Sequence, residues 1–150
     1  MLTKLVNQPR AIEINQPKKQ TGAVSIPLLG VITAGEPVEA YETPENITVS
    51  KDLLRGSGNY FALKVNGNSM IDEGIFDGDT VIVRKQQIVE NGETAVALIN
   101  GSETTLKKIY KEKNGFRLQP ANPTMKPIFV EELSIQGKVV SVIRNFEETG

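Results

Sequence analysis

A chain of 150 residues has room for one modest domain and a tail, and a domain of that size buries about 68–70% of its unfolded surface without staples. It contains no cysteine and no histidine, which excludes disulfides, thiolate nucleophiles, Ser-His-Asp triads, Cys-His pairs and nearly all zinc sites, so that any enzymatic base is a carboxylate, a lysine, a tyrosine or a water. A net charge of -1 and 5% aromatic residues leave neither a basic footprint nor a stacking platform for nucleic acid.

Residues 1–25 differ in character from the rest. Leu2-Thr3-Lys4-Leu5 and Ala11-Ile12-Glu13-Ile14 are two short β-like runs separated by the turn residues Asn7-Gln8-Pro9, a pattern that suits a hairpin. Residues 15–22 are polar, contain Pro17 and offer no apolar anchor, so they read as a linker in which Lys18 and Lys19 are solvated. Residues 26–34 form the longest apolar stretch, but Pro27 and Gly30 interrupt it and it is far too short to cross a bilayer. With no export signal in view, the expectation is a cytoplasmic protein with no membrane partner.

From Ile26 onward the pattern is β-rich. Ser50 begins a short helical turn as its N-cap. Phe61, Leu63 and Val65 alternate with Ala62, Lys64 and Asn66, which predicts a half-buried strand. Residues 80–83 and 94–99 are short continuous apolar runs of the kind buried strands make. Residues 104–111 and 116–119 flank Asn114-Gly115, a strong hairpin signal, and residues 135–143 make a further strand with Gly137 inside it. Turns are marked by Asn66-Gly67, Asp77-Gly78, Asn91-Gly92 and Asn100-Gly101. The fold class expected is all-β: a compact, strongly bent sheet over residues 26–150.

Among groups able to do chemistry, Asp72, Glu73, Asp77 and Asp79 cluster, but they lack the twelve-residue loop of a calcium site and read as turn and surface carboxylates; no metal site is expected. Ser69 lies just past a strand end, behind Asn66-Gly67-Asn68. Such a position can present a hydroxyl and successive backbone N–H groups to one point, as a nucleophile beside an oxyanion hole requires, although a serine there also serves as a plain turn residue. In Thr104-Thr105-Leu106-Lys107-Lys108-Ile109, strand alternation puts Lys107 and Lys108 on opposite faces, so both cannot face solvent. A desolvated lysine loses several units from its reference pKa of about 10.4 and can then deprotonate a serine. Periodicity alone does not say which of the two is buried.

Five segments in order carry a resemblance: Ile26-Pro27-Leu28-Leu29-Gly30 leading to Thr33-Ala34-Gly35-Glu36-Pro37; Val65-Asn66-Gly67-Asn68-Ser69-Met70; Asp77-Gly78-Asp79; Thr105-Leu106-Lys107-Lys108-Ile109; and Val142-Ile143-Arg144-Asn145. Over about residues 26–146 the chain resembles the C-terminal domain of LexA-type SOS repressors, the self-cleaving Ser-Lys peptidases that include UmuD and phage repressors, with a sheet like that of signal peptidases. The first 25 residues resemble the last wing hairpin of the LexA winged-helix domain followed by a linker, which implies a repressor fragment that begins inside the wing.

The resemblance implies roles by position. Ser69 matches the nucleophile, Lys107 the general base, Ala34-Gly35 the scissile bond, and the backbone N–H groups of Asn68 and Ser69 the oxyanion hole. Family members often carry Met where this chain has Asn68, a departure that a backbone donor tolerates. It implies no cofactor, homodimerisation through the C-terminal region, a RecA–single-stranded-DNA filament as stimulus, and operator DNA contacted only through the winged helix that this chain lacks. Residues 135–143 then read as an edge strand for the dimer, with Lys138, Val140, Val142 and Arg144 on one face, or equally as an ordinary core strand. A UmuD-type polymerase accessory and a non-enzymatic β-rich interaction module are the alternatives.

Overall fold

A computed structural model describes residues 22–34, 36–54 and 56–146. The expected wing hairpin within residues 1–21 and Gly35 of the expected scissile bond lie outside the described residues.

Nine strands form one sheet: β1 (Ala23–Thr33), β2 (Glu39–Ser50), β3 (Tyr60–Asn66), β4 (Thr80–Lys85), β5 (Glu93–Ile99), β6 (Glu103–Glu112), β7 (Gly115–Gln119), β8 (Ile128–Val130) and β9 (Ser134–Ile143). Their order is β2-β1-β3-β4-β9-β5-β6-β7-β8, so the all-β expectation holds. The helical turn expected after Ser50 is a 3-10 turn over Lys51–Leu53, and the Ser50 side chain accepts from the Asp52 N–H. The Asn100-Gly101 turn joins β5 to β6 with positive φ at both residues (54° and 79°), as a tight hairpin of primed type needs.

The sheet bends back on itself. β1 and β6 stand far apart in strand order, yet Glu36, just past β1, bridges to Thr104 of β6. Inside the bend, Ile32, Phe61, Leu63, Val65, Met70, Val81, Val83, Val96 and Leu106 form the largest apolar cluster. The opposite face carries two smaller ones. Ile26, Val49, Ala62 and Ile82 back β1 to β4, and Ala95, Ala97, Ile99, Ile109 and Leu118 back β5 to β7. Alternation therefore buries both sides of the middle strands. β3 is more enclosed than expected: Ala62 is as buried as Phe61 and Leu63, while Tyr60 and Lys64 are half-buried and Asn66 is exposed.

Two expectations for residues 135–143 are corrected. β9 is not an edge strand, because it pairs antiparallel with β4 on one side and β5 on the other. Nor do Val140 and Val142 share a face. The register slips between Ile82/Val83, so Val142 packs with the inner cluster and Val140 with the outer one. Gly137 is required at this crossing, since a Cβ there would lie 2.5 Å from the Arg84 carbonyl oxygen and 2.5 Å from Val83 Cγ1.

The true edges are β2 and β8, neither of which the pattern predicted. β2 holds Pro44 and is exposed along most of its length, as an edge strand tolerates. The parallel pairing of β1 with β3 brings Thr33 opposite Asn66 and sets the ends of the two strands side by side. That register positions the site.

Candidate active site

The chain turns sharply after β3. Gly67 takes φ 116°, a region open to glycine, and its N–H donates to Asp77 Oδ1 at 2.8 Å. Met70 then plunges into the inner cluster with 1% of its surface exposed, and a 3-10 turn (Ile71–Glu73) follows. Ser69 is thus pinned between a capped turn and a buried side chain. Its carbonyl accepts from the Ala121 N–H at 2.8 Å, and the Asp72 N–H donates to the Ala121 carbonyl at 2.7 Å.

Asp72 and Glu73 of this stretch are exposed, as expected, whereas Asp77 and Asp79 act as struts. Asp79 contradicts its expected surface position, with 2% exposure. It accepts from Arg144 Nε and Nη2, both at 2.8 Å, and from the Phe76 N–H at 2.7 Å. The Arg144 hydrogen bond, with the Phe76 N–H, holds the Asp79 carboxyl below its ordinary range despite the opposing effect of burial. Among the described residues no group of three or more His, Cys, Asp or Glu side chains is placed to hold a metal.

Lys107 comes to Ser69 from β6. It stands opposite Ala95 on β5, whose small side chain leaves room for the long stem, and it is 2% exposed. Its ammonium form donates to Ser69 Oγ at 3.2 Å, to Thr105 Oγ1 at 2.9 Å and to the Leu106 carbonyl at 3.2 Å. Among the described residues no carboxylate pairs with it, and burial lowers the Lys107 pKa to about 8. The choice left open by periodicity is thereby made. Lys108 faces outward, pairs with Glu73 at 3.0 Å, and that contact raises its pKa.

This arrangement has a chemical reading. A neutral amine has two N–H donors and one lone pair. The Leu106 carbonyl can only accept, and the Thr105 hydroxyl can accept, so the two N–H bonds are taken. The lone pair is left facing the Ser69 hydroxyl, where it can receive a proton.

The segment around Ala34 lies against the same strand ends. Ala34 is exposed in a turn just past β1. Before it, Thr33 Oγ1 accepts from Asn66 Nδ2 at 3.1 Å. After it, the Glu36 carbonyl accepts from the Thr104 N–H at 2.9 Å and the Thr104 hydroxyl at 2.7 Å. Asn66 shortly precedes Ser69 and Thr104 shortly precedes Lys107, so the segment is fastened on both sides to the strands that carry the pair. Sequence reasoning had not singled out Thr105, Asn122 or the Asp79–Arg144 pair. Thr105 carried a signal, since it shares the Lys107 face of β6 by alternation. Asp79 and Arg144 each lie in a segment that carries the family likeness, but their pairing carried no signal, because it spans distant parts of the chain.

A Peptidase S24-like family model matches residues 27–140. The chain is 44% identical over 142 residues to a LexA repressor of Bacillus mycoides, covering 92% of this chain and 69% of that protein. It is 45% identical over 143 residues to one of Brevibacillus brevis (91% and 69%). To one of Syntrophobacter fumaroxidans it is 47% identical over 142 residues (93% and 67%).

Proposed function

The chain belongs to the S24-like peptidase family as a LexA-type repressor, and on that premise we propose that it hydrolyses its own Ala34–Gly35 bond with Ser69 as nucleophile and Lys107 as general base. The observation that carries this reading is the buried Lys107 amine, 3.2 Å from Ser69 Oγ, beside a segment fastened on both sides of Ala34.

Neutral Lys107 takes the Ser69 proton as Oγ bonds to the Ala34 carbonyl carbon. The N–H of Ser69 and the neighbouring backbone amides stabilise the resulting oxyanion. The intermediate collapses with cleavage of the Ala34 C–N bond, and Lys107 returns its proton to the departing Gly35 amine. Water, deprotonated by Lys107, then hydrolyses the acyl ester and restores both groups. Because the substrate is part of the same chain, no bimolecular encounter opposes the reaction.

The family setting supports the remaining roles. Residues 26–150 form the self-cleavage and dimerisation unit. Residues 1–25 are the end of a winged-helix wing and a linker. A RecA–single-stranded-DNA filament promotes the cut by favouring the docked segment, and operator DNA is read by a winged helix that precedes this segment. The LexA repressors among its relatives favour a repressor of the SOS response over a polymerase accessory.

Incubation of the pure protein near pH 10, followed by mass spectrometry, tests the proposal. The expected products end at Ala34 and begin at Gly35. Ser69→Ala and Lys107→Ala abolish the cut, and Lys108→Ala leaves it intact. An uncut wild type sinks the proposal. Identical fragmentation of Ser69→Ala points instead to a contaminating protease and a non-enzymatic β-rich module.

A further inference from the structure

One short segment after β7 holds the backbone on both sides of Ser69. The Ala121 N–H donates to the Ser69 carbonyl at 2.8 Å, and the Asn122 side-chain amide donates from Nδ2 to the Asn68 carbonyl at 2.7 Å. The other end of that amide is also fixed: Asn122 Oδ1 accepts from the Thr124 N–H at 2.9 Å and from the Thr124 hydroxyl at 2.8 Å. Two donors on Oδ1 leave the NH2 group only one orientation, facing Asn68.

A trans peptide is a rigid plane whose C=O and N–H point in opposite directions. Holding the Asn68 carbonyl therefore fixes where the Ser69 N–H points. That N–H belongs to the same peptide unit, and it is the donor assigned above to the oxyanion. Asn68 follows Gly67, whose φ of 116° leaves the start of this loop with little steric restraint of its own. Asp77 Oδ1 holds the Gly67 N–H at the start of the loop, and the Asn122 amide holds the Asn68–Ser69 peptide plane that follows.

We propose that Asn122 is the positioning residue of the oxyanion hole: it grips the Asn68 carbonyl and so aims the Ser69 N–H at the developing negative charge, without touching the reacting atoms. This rests on the self-cleavage reading, and it adds a residue that acts on the oxyanion side of the reaction only. Losing an oxyanion donor outright costs about 10²–10³ in rate. Losing its aim lowers the rate by about tenfold to a hundredfold.

Two variants separate the amide donor from the rest of the side chain. Asn122→Asp retains an acceptor for Thr124 but has no proton for the Asn68 carbonyl. Asn122→Ala removes the donor without adding charge. The first-order cleavage rate of each is measured against pH beside the wild type, with a thermal melt to confirm folding. The expected result for both is a plateau about tenfold to a hundredfold lower with the pH midpoint unmoved. Loss of packing would instead admit water to Lys107 and carry the midpoint up toward the ordinary lysine range. Wild-type rates in either variant, or a lowered rate with a raised midpoint in both, overturn the proposal. An uncut wild type is a different failure, because it removes the self-cleavage reading and this role with it.

Discussion

In the proposed reaction, Lys107 sets the pH at which the bond is cut. Removing its charge from water without a carboxylate partner lowers its pKa from 10.5 to about 8. At pH 7 about one such amine in ten is neutral, against about one in 2,500 at the reference value of about 10.4. Cleavage is therefore expected to rise with pH, reach half its maximum near pH 8 and flatten above, as followed by the first-order rate from pH 6 to 10. A midpoint near 10.5 would show a solvated lysine. The same burial bears on stability with a definite sign. The unfolded chain holds the proton more tightly than the folded one, so stability rises with pH between about 8 and 10.5. A depression of this size corresponds to about 3 kcal/mol. Lys107→Met is expected to be more stable than the parent at pH 7 by about that order, with the difference fading toward pH 10.5; denaturant titrations at several pH values check this.

At the scale of elements, the crossing of β9 over β4 is one of the close backbone approaches of the sheet. A Cβ on Gly137 would meet the Arg84 backbone oxygen and Val83 Cγ1 at 2.5 Å each, and neither has room to yield, because Val83 is fully buried and Arg84 is locked in the β4–β9 ladder. Gly137→Ala is expected to lower the unfolding free energy by about 1–3 kcal/mol, the usual cost of overpacking, read from the denaturant midpoint. An unchanged midpoint would mean that β9 can slide. The same crossing marks the limit of what periodicity conveys. Phe61, Leu63 and Val65 were readable because their alternation is unbroken. Val140 and Val142 fall on different faces because β9 carries an extra residue where Ser141 pairs with Ile82 and Val139 with Val83, a bulge that simple alternation does not show. β2 escaped notice because an exposed edge strand with Pro44 and scattered glutamates lacks an apolar face. The candidate pair was legible in part: alternation required one of two adjacent lysines to be buried, and the family likeness named Lys107. Asn122 was not legible, since its role depends on a contact with a loop far away in sequence.

The whole molecule is a device for bringing three parts of one chain together. β1 delivers the segment that carries Ala34, the end of β3 delivers Ser69 and β6 delivers Lys107, and these strands meet because the sheet bends until Glu36 reaches Thr104. The Asp79–Arg144 pair joins the start of β4 to the end of β9 beneath the serine loop, and Arg144 also donates to the Gly74 carbonyl at 2.9 Å. Ser69, Lys107 and the segment proposed as substrate are thus set by one continuous sheet. In the proposed self-cleavage, confinement of this kind gives the bond after Ala34 a high effective concentration that dilution cannot change. The rate constant for cleavage is therefore expected to stay the same over a hundredfold range of protein concentration, measured by the loss of intact chain at pH 9. A rate constant that grows in proportion to concentration would mean that one copy cuts another. In that case the contacts of Thr33 with Asn66 and of Glu36 with Thr104 would not be what presents the bond to Ser69. A concentration-independent rate that falls on replacing Thr104 with Val, which removes one of the two donors to the Glu36 carbonyl, would tie the chemistry to the bend itself.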